Sequence, residues 1–511
     1  MNMHRFTYPL LTLLFTLSLP LPTLTVFATN PQDSRETSTP PNVVLFVSDD
    51  MGWPDLGYAG GLPETPNIDR LSAEGVQLDR FYAFPICSPT RTALMTGRSP
   101  IRFGITNPIA GRDMIPADER FMPTVFRDAG YQTFMAGKWH LGTNGEEFMP
   151  QGRGFDHFYG ALGGITEYYN SPDWPRRWQR NGEPVVEDGY STDLFAKEAI
   201  DWIENRDRAK PFFIYLAFNA PHNPCSAPDE IVQKYQQRGF MLHEATRLAA
   251  IDALDQAIGR VLATIDEQEM TENTLVMFFC DNGPGAPRVR PAELPRRPRF
   301  AAIMPQEETP VPTETSSARQ LRGGKGSLYE GGVYVPAVIR WPGVIEPSGR
   351  CDQLISVLDL LPTLATAVGI PVDSEKPLDG ENMWPSIQEG LSVPERELVL
   401  ASGKDLAIIR DNWKLVQIGD VSELFNLDID PMESEDLSAD EPDIVEFFTE
   451  KLMPYAKMLE NVRAAGPPGA PPQGAGRPMR PGATAPGGQR PVPGAQRPIP
   501  GGQRPRPGMT R

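Results

Sequence analysis

Residues 42–50, NVVLFVSDD, set the strongest limit on what this chain can become. Residues 43–47 are all apolar, so the run has no polar face to turn toward water. A half-exposed strand alternates apolar and polar side chains, whereas an unbroken β-branched run suits a strand buried on both sides, as in a parallel sheet. The run then stops on two aspartates. Three later segments repeat the pattern: YQTFMAGKWHLG at 131–142, PFFIYLAFNAPH at 211–222 and NTLVMFFCDNG at 273–283. TPNIDRLSAEGV at 65–76 reads as a helix with Ile68 and Leu71 inward and Gly75 as its stop, and further helical stretches fall near 193–205 and 244–268. Strands alternating with helices predict an α/β fold with a mostly parallel sheet.

Four of these predicted strands end in chemically active groups: Asp49 and Asp50, Lys138 with His140, His222, and Asp281 with Asn282. Ligands of open α/β sheets bind beyond the carboxyl ends of the strands. Loops are polar in any case, so one such end means little; four with these residue types point to a site. Asp49, Asp50, Asp281 and Asn282 offer hard oxygen donors, which suit Ca²⁺ or Mg²⁺ better than Zn²⁺. Beyond residue 28 the histidines are His140, His157, His222 and His243, a poor supply for a two-zinc centre. Arg91, Lys138 and Lys325, the last in LRGGKGSLYEGG, add positive charge. Any one of them alone reads as a solvated surface charge, but together with a hard cation they suit a small oxyanion such as sulfate or phosphate.

Cys87 lies in PICSPTRTALMTGR, residues 85–98. Pro89 suits the first turn of a helix and Gly97 its end, which puts Cys87 just ahead of an N-terminus that favours anions. A thiolate attacking a sulfate ester would leave an S-sulfonate with no easy exit. A hydrated aldehyde at this position avoids the dead end, because one hydroxyl attacks and deprotonation of the other releases sulfate.

The rest of the chain sets the frame. Arg5 and the apolar run that follows, ending at VFA, read as a signal peptide over residues 1–28, with a linker at 29–41. The expectation is export to the periplasm or outside the cell, with no transmembrane segment after leader cleavage. The net charge of −18 argues against nucleic acid as a partner. The four cysteines are too few for a disulfide framework, although Cys225 and Cys351 form a conceivable pair; Cys280 reads as a small buried apolar residue. Residues 395–463 carry short alternating runs and then a helix, a small antiparallel-sheet subdomain beside a main domain at 42–394. Residues 284–318 form a Pro/Arg-rich insertion containing Arg288, Arg290, Arg296, Arg297 and Arg299. Residues 464–511, rich in Pro, Gly, Gln and Arg, read as a disordered tail.

CSPTRTALMTGR resembles the C-x-P-[ST]-R signature of the type I, formylglycine-dependent sulfatases, and the chain is similar to their arylsulfatase A/B-like branch. The resemblance runs over nearly all of residues 42–440, through NVVLFVSDDMGWPDLGY, GKWHLG, GFDHFYG, NTLVMFFCDNG, LRGGKGSLYEGGVYVPAVIRWPG, LDGEN and ELFNLDIDP. It implies an alkaline-phosphatase-like sheet sandwiched by helices, with a smaller C-terminal α+β domain. It also implies that a maturation enzyme converts Cys87 to formylglycine, and that Asp49, Asp50, Asp281, Asn282 and the converted Cys87 hold Ca²⁺. The roles it implies are sulfate and aldehyde binding by Arg91, Lys138 and Lys325, deprotonation of the attacking hydroxyl by Asp281, protonation of the leaving alcohol by His222 or by His222 with Lys325, and proton removal by His140. The expected reaction is hydrolysis of a sulfate ester, with a sulfated glycan as substrate. The alternatives are a formylglycine-dependent phosphoesterase or phosphonate hydrolase, and an unmodified protein that binds sulfated glycans without cleaving them. The residues of the 163–182 loop, with its aromatics and arginines, suit a sulfated sugar.

Overall fold

The computed structural model describes residues 40–109, 114–164, 167–169, 178–285, 316–372, 375–393 and 395–465. The expected leader, most of the Pro/Arg-rich insertion with its five named arginines, and the tail from residue 466 lie outside the described residues.

All seven residues of the strand Asn42–Ser48 are buried, as an apolar run without a polar face requires. It pairs in parallel with Phe212–Ala217 on one side and Thr274–Cys280 on the other. Burying its five central side chains contributes on the order of 10 kcal/mol before chain entropy is counted, so this strand anchors the sheet. The sheet has ten strands in the order Gly349–Cys351, Val76–Leu78, Ala337–Arg340, Thr274–Cys280, Asn42–Ser48, Phe212–Ala217, Gln132–Lys138, His157–Ala161, Trp178–Arg180 and Glu183–Pro184. Its middle is parallel, but Ala337–Arg340 runs antiparallel to both neighbours, and Trp178–Arg180 with Glu183–Pro184 forms an antiparallel hairpin at one edge. These exceptions are short strands, and a two-residue turn can join only antiparallel partners. Two helix groups pack with the sheet: Ser191–Asn205 and Asp229–Gln237 on the long helix Leu242–Glu267, and Cys87–Thr96 with Met122–Asp128 and Leu360–Ala367.

The smaller C-terminal unit is a four-stranded antiparallel sheet, Glu397–Ser402, Asp405–Arg410, Trp413–Ile418 and Val421–Asn426, followed by the helix Pro442–Ala465. Successive side chains of a strand point to opposite faces. Here both faces are used: Val399, Ala401, Leu406, Ile408, Leu415 and Leu424 join Phe448, Leu452 and Leu459 of the helix, whereas Leu398, Leu400, Ala407, Ile409, Val416 and Phe425 join the main core. Cys225 and Cys351 do not pair; each is a buried free thiol, packed near Thr246 O and Ser386 O respectively. Cys280 is buried and free, with burial pushing its thiol up.

Candidate active site

The four strands that end in Asp49-Asp50, Lys138, Asn219–His222 and Asp281-Asn282 are adjacent in the middle of the sheet, so their carboxyl ends converge. Cys87 comes to the same place from the helix Cys87–Thr96. That helix starts at the cysteine itself, with Ile86 extended before it, so Cys87 is its first residue and not the residue ahead of it. Pro89 is tolerated because the first N–H groups of a helix have no intrahelical partner. Gly97 ends the helix in the left-handed conformation, φ 62°, its N–H donating to Ala93 O.

The geometry is tight and ionic. Lys138 Nζ lies 2.5 Å from Asp49 Oδ2, and Lys325 Nζ lies 2.7 Å from Asp50 Oδ1. Arg91 donates through Nη2 and Nε to Asp281 Oδ2, at 2.8 and 3.2 Å, and through Nη1 to Lys138 O and Tyr215 Oη. Asn282 Nδ2 donates to Asp50 Oδ1 at 2.8 Å. Cys87 Sγ lies 3.3 Å from His140 Nδ1, and His222 Nε2 lies 3.9 Å from Asp50 Oδ2. Asp50 and His140 both hold the left-handed backbone, φ 69° and 60°, which costs energy for a residue with a Cβ and is characteristic of functional sites. His222 and Lys325 keep 15% and 19% side-chain exposure while Asp49, Arg91 and Lys138 keep none, so those two groups meet whatever enters.

Burial and charge set the protonation states. Burial would raise the Asp49 carboxyl, but Lys138, His222, Lys325 and Arg91 together hold it well below its usual range. Burial and the Asp49 charge push Asp281 up to about 6 against the pull of Arg91 and Lys138. Burial drives the His140 imidazole well below its ordinary value, with Lys138 and Arg91 adding to the effect. Burial likewise lowers His222 to about 4, although Asp49 opposes it. Cys87 is pushed up by burial, so its thiol is a poor thiolate nucleophile.

Every residue expected at the site is brought together here. Arg91 is wholly enclosed and braces Asp281 against the end of the Gln132–Lys138 strand. In the 163–182 segment, Tyr168 is buried and donates to Asn219 O and His222 O, so it supports the histidine loop and does not face a sugar. His157 pairs with Glu198. Sequence reasoning missed Tyr215, whose lone hydroxyl in an otherwise apolar run was the available signal, and Gly164, whose backbone lies against the His140 ring.

Asp49 Oδ1 and Asn282 Oδ1 are buried without a hydrogen-bond partner among the described residues. Orphaned buried oxygens are costly, and a hard cation ligated by carboxylate and amide oxygens would satisfy both. Asp49 and Asp50 also offer carboxylate oxygens within 4.8 Å of one another, with His222 as the third group of that cluster; it is their oxygens, not the imidazole, that suit a hard cation. The donor set therefore fits a Ca²⁺-like ion.

A family model described as Sulfatase matches residues 41–370. The chain is 30% identical over 382 residues to arylsulfatase J of Mus musculus, a match covering 72% of this chain and 59% of that protein. It is 33% identical over 376 residues to N-acetylgalactosamine-6-sulfatase of Homo sapiens, covering 69% of this chain and 66% of the other. The chain thus spans about three fifths to two thirds of the length of these curated relatives. The crystal structure of Ps i-CgsB in complex with k-i-k-neocarrahexaose superposes with a TM-score of 0.71 at 28% identity, covering 82% of this chain and 93% of that one.

Proposed function

The chain belongs to the sulfatase family, and from that premise we propose that it hydrolyses sulfate esters of a sulfated glycan, using a formylglycine formed from Cys87 and a bound Ca²⁺. The observation that carries this reading is Cys87 Sγ at 3.3 Å from His140 Nδ1, in a cluster where Asp49, Asp50 and Asp281 are balanced by Arg91, Lys138 and Lys325. The glycan part is supported by the carbohydrate ligand named for Ps i-CgsB and by the sugar named for the human relative.

Asp49, Asp50, Asp281, Asn282 and residue 87 would hold the ion, which when bound supplies Lewis-acid polarisation of sulfate oxygens. Formylglycine at residue 87 would supply a hydrated aldehyde as nucleophile in place of the poorly ionised thiol. The chain's own groups do the rest. Lys325, partly exposed, and Lys138 behind it direct positive charge at the ester's oxygens, a contribution that grows as negative charge gathers on the leaving oxygen. Asp281, held by Arg91, accepts the proton of the attacking hydroxyl. His222, partly exposed beside Asp50, faces the leaving alcohol and gives it a proton; an arriving sulfate anion favours its charged form, which burial disfavours. His140, neutral and next to residue 87, takes the last proton. Export of the chain, with a maturation enzyme acting on it, completes the proposal.

Two linked measurements test it. The tryptic peptide FYAFPICSPTR from native-host protein should weigh about 18 units less than its cysteine form, the change expected when the thiol becomes an aldehyde. The same preparation should release sulfate from 4-nitrophenyl sulfate and from sulfated oligosaccharides, and Cys87→Ala should abolish both activities. Turnover that survives in Cys87→Ala would overturn the assignment. An intact thiol with glycan binding and no turnover would instead mark a non-catalytic binder.

A further inference from the structure

The small C-terminal sheet meets the loop that carries Lys325 through a buried ionic cluster. Lys414, in Trp413–Ile418, is fully buried, and its Nζ lies 2.8 Å from both Glu330 Oε1 and Glu433 Oε1. Glu330 opens the short helix Glu330–Val333, just after Lys325, and its second oxygen accepts from Tyr82 Oη at 3.0 Å. Glu433 Oε2 accepts from Glu330 N at 2.6 Å, and Glu433 O accepts from Arg322 Nη1 at 2.9 Å. Arg322 also pairs with Glu423 at 3.1 Å and lies 3.8 Å from the centre of the Tyr329 ring. Ser402 Oγ donates to Gly326 O at 2.7 Å. From the main domain, Lys325 N donates to Pro284 O and Gly326 N to Pro85 O, the latter two residues before Cys87.

Such a cluster is poorly explained by stability. One ammonium and two carboxylates taken out of water lose much hydration, and well-packed apolar residues do at least as well energetically. Glu433 moreover holds a left-handed backbone, φ 53°, a strain that persists only where the surroundings enforce it. Residues 322–334, RGGKGSLYEGGVY, contain five glycines, so the turns they make on themselves, such as Gly331 N to Arg322 O and Ser327 N to Gly324 O, use a permissive backbone that outside ties help to fix. Apart from the Arg322–Tyr329 contact, which lies within the loop, the anchors just named tie it to neighbouring elements, and Lys325 carries it to Asp50 in the active site.

We propose that Lys414 is a positioning residue for Lys325. Acting through Glu330 and Glu433, and assisted by Ser402 at Gly326, it holds the 322–334 loop so that Lys325 stays against Asp50 and within reach of the anionic group of the substrate. This rests on the sulfate-ester reading above.

The test is a double-mutant cycle in the mature, calcium-supplied full chain, read as kcat/KM on 4-nitrophenyl sulfate. Lys414→Met should lower kcat/KM by about tenfold in the natural background and by less than about twofold in Lys325→Ala, because residues acting through one group are not additive. Lys414→Arg should recover part of the loss. Ser402→Ala removes only a part-buried hydroxyl, and it should show the same pattern at smaller scale if Lys414→Met fails to fold. Equal fold-losses in both backgrounds, or no loss from either variant, would overturn the proposal. If the unaltered chain cleaves no sulfate ester, the functional reading fails separately. Amide exchange over residues 322–334 then decides: faster exchange in Ser402→Ala and Lys414→Met supports the anchoring, and unchanged exchange overturns it.

Discussion

At Gly164 nothing larger than hydrogen fits: an added Cβ would lie 2.3 Å from both Cε1 and Nε2 of His140. The ring that faces Cys87 has its position set from behind by a residue with no side chain. Gly164→Ala should therefore push the imidazole away and lower kcat by about ten- to a hundredfold, since small misplacements of a reacting group carry such losses. KM and thermal stability should change little; a variant with unchanged kcat would show that the ring position is not critical. At this scale the sequence was informative about residue types and less so about their duties. Asp49, Asp50, His140, His222 and Asp281 were legible because apolar runs stop at them. Arg91 was legible as a cation but not as a brace: SPTRTALMT carries polar residues on every side, yet the whole helix is buried, with Thr90 bonding Phe84 O and Thr92 bonding Ser88 O. Local pattern cannot reveal burial that tertiary contacts impose.

Between elements, the helix Ser191–Asn205 is joined to the sheet edge by Glu198, which takes Arg180 Nε at 2.7 Å and His157 Nε2 at 2.8 Å. Burial alone would raise this carboxyl, but the hydrogen bonds from His157 and Arg180 outweigh it and hold it at about 2. A depressed folded-state pKa gives stability that is present above the unfolded value, near 4.5, and is lost as pH falls toward 2. Urea unfolding of Glu198→Gln should thus show a deficit of roughly 1–2 kcal/mol at pH 7, after allowance for solvent screening, that begins to shrink below about pH 4.5 and nears zero only at about pH 2. A deficit constant over that range would remove the ionic explanation. The elements themselves were legible where period and composition agreed, as in Leu242–Glu267 and the four central strands. The short antiparallel strands were not, because runs of two to four residues carry too little pattern to fix a direction.

Across the whole molecule, the site is assembled from groups between residues 49 and 325, and the loop bearing Lys325 is fastened by residues as distant as 433. No sequence window spans such a set, which is why the Lys414–Glu330–Glu433 cluster left no local trace. Binding that favours the folded chain raises its melting temperature, so millimolar calcium should lift that of the unaltered chain by a few degrees and leave Asp50→Asn unmoved. An equal rise in both would place the ion elsewhere. The buried central strand has one more consequence, felt while the chain is being made. Asn42–Ser48 leaves the ribosome early, but its two partners, Phe212–Ala217 and Thr274–Cys280, follow much later. At ordinary elongation speeds the second arrives roughly ten to fifty seconds after the first strand. For that interval a bare apolar ribbon with unpaired backbone on both edges is open to any similar ribbon nearby. The strand that later gathers the site is, until then, one that a holdase would protect.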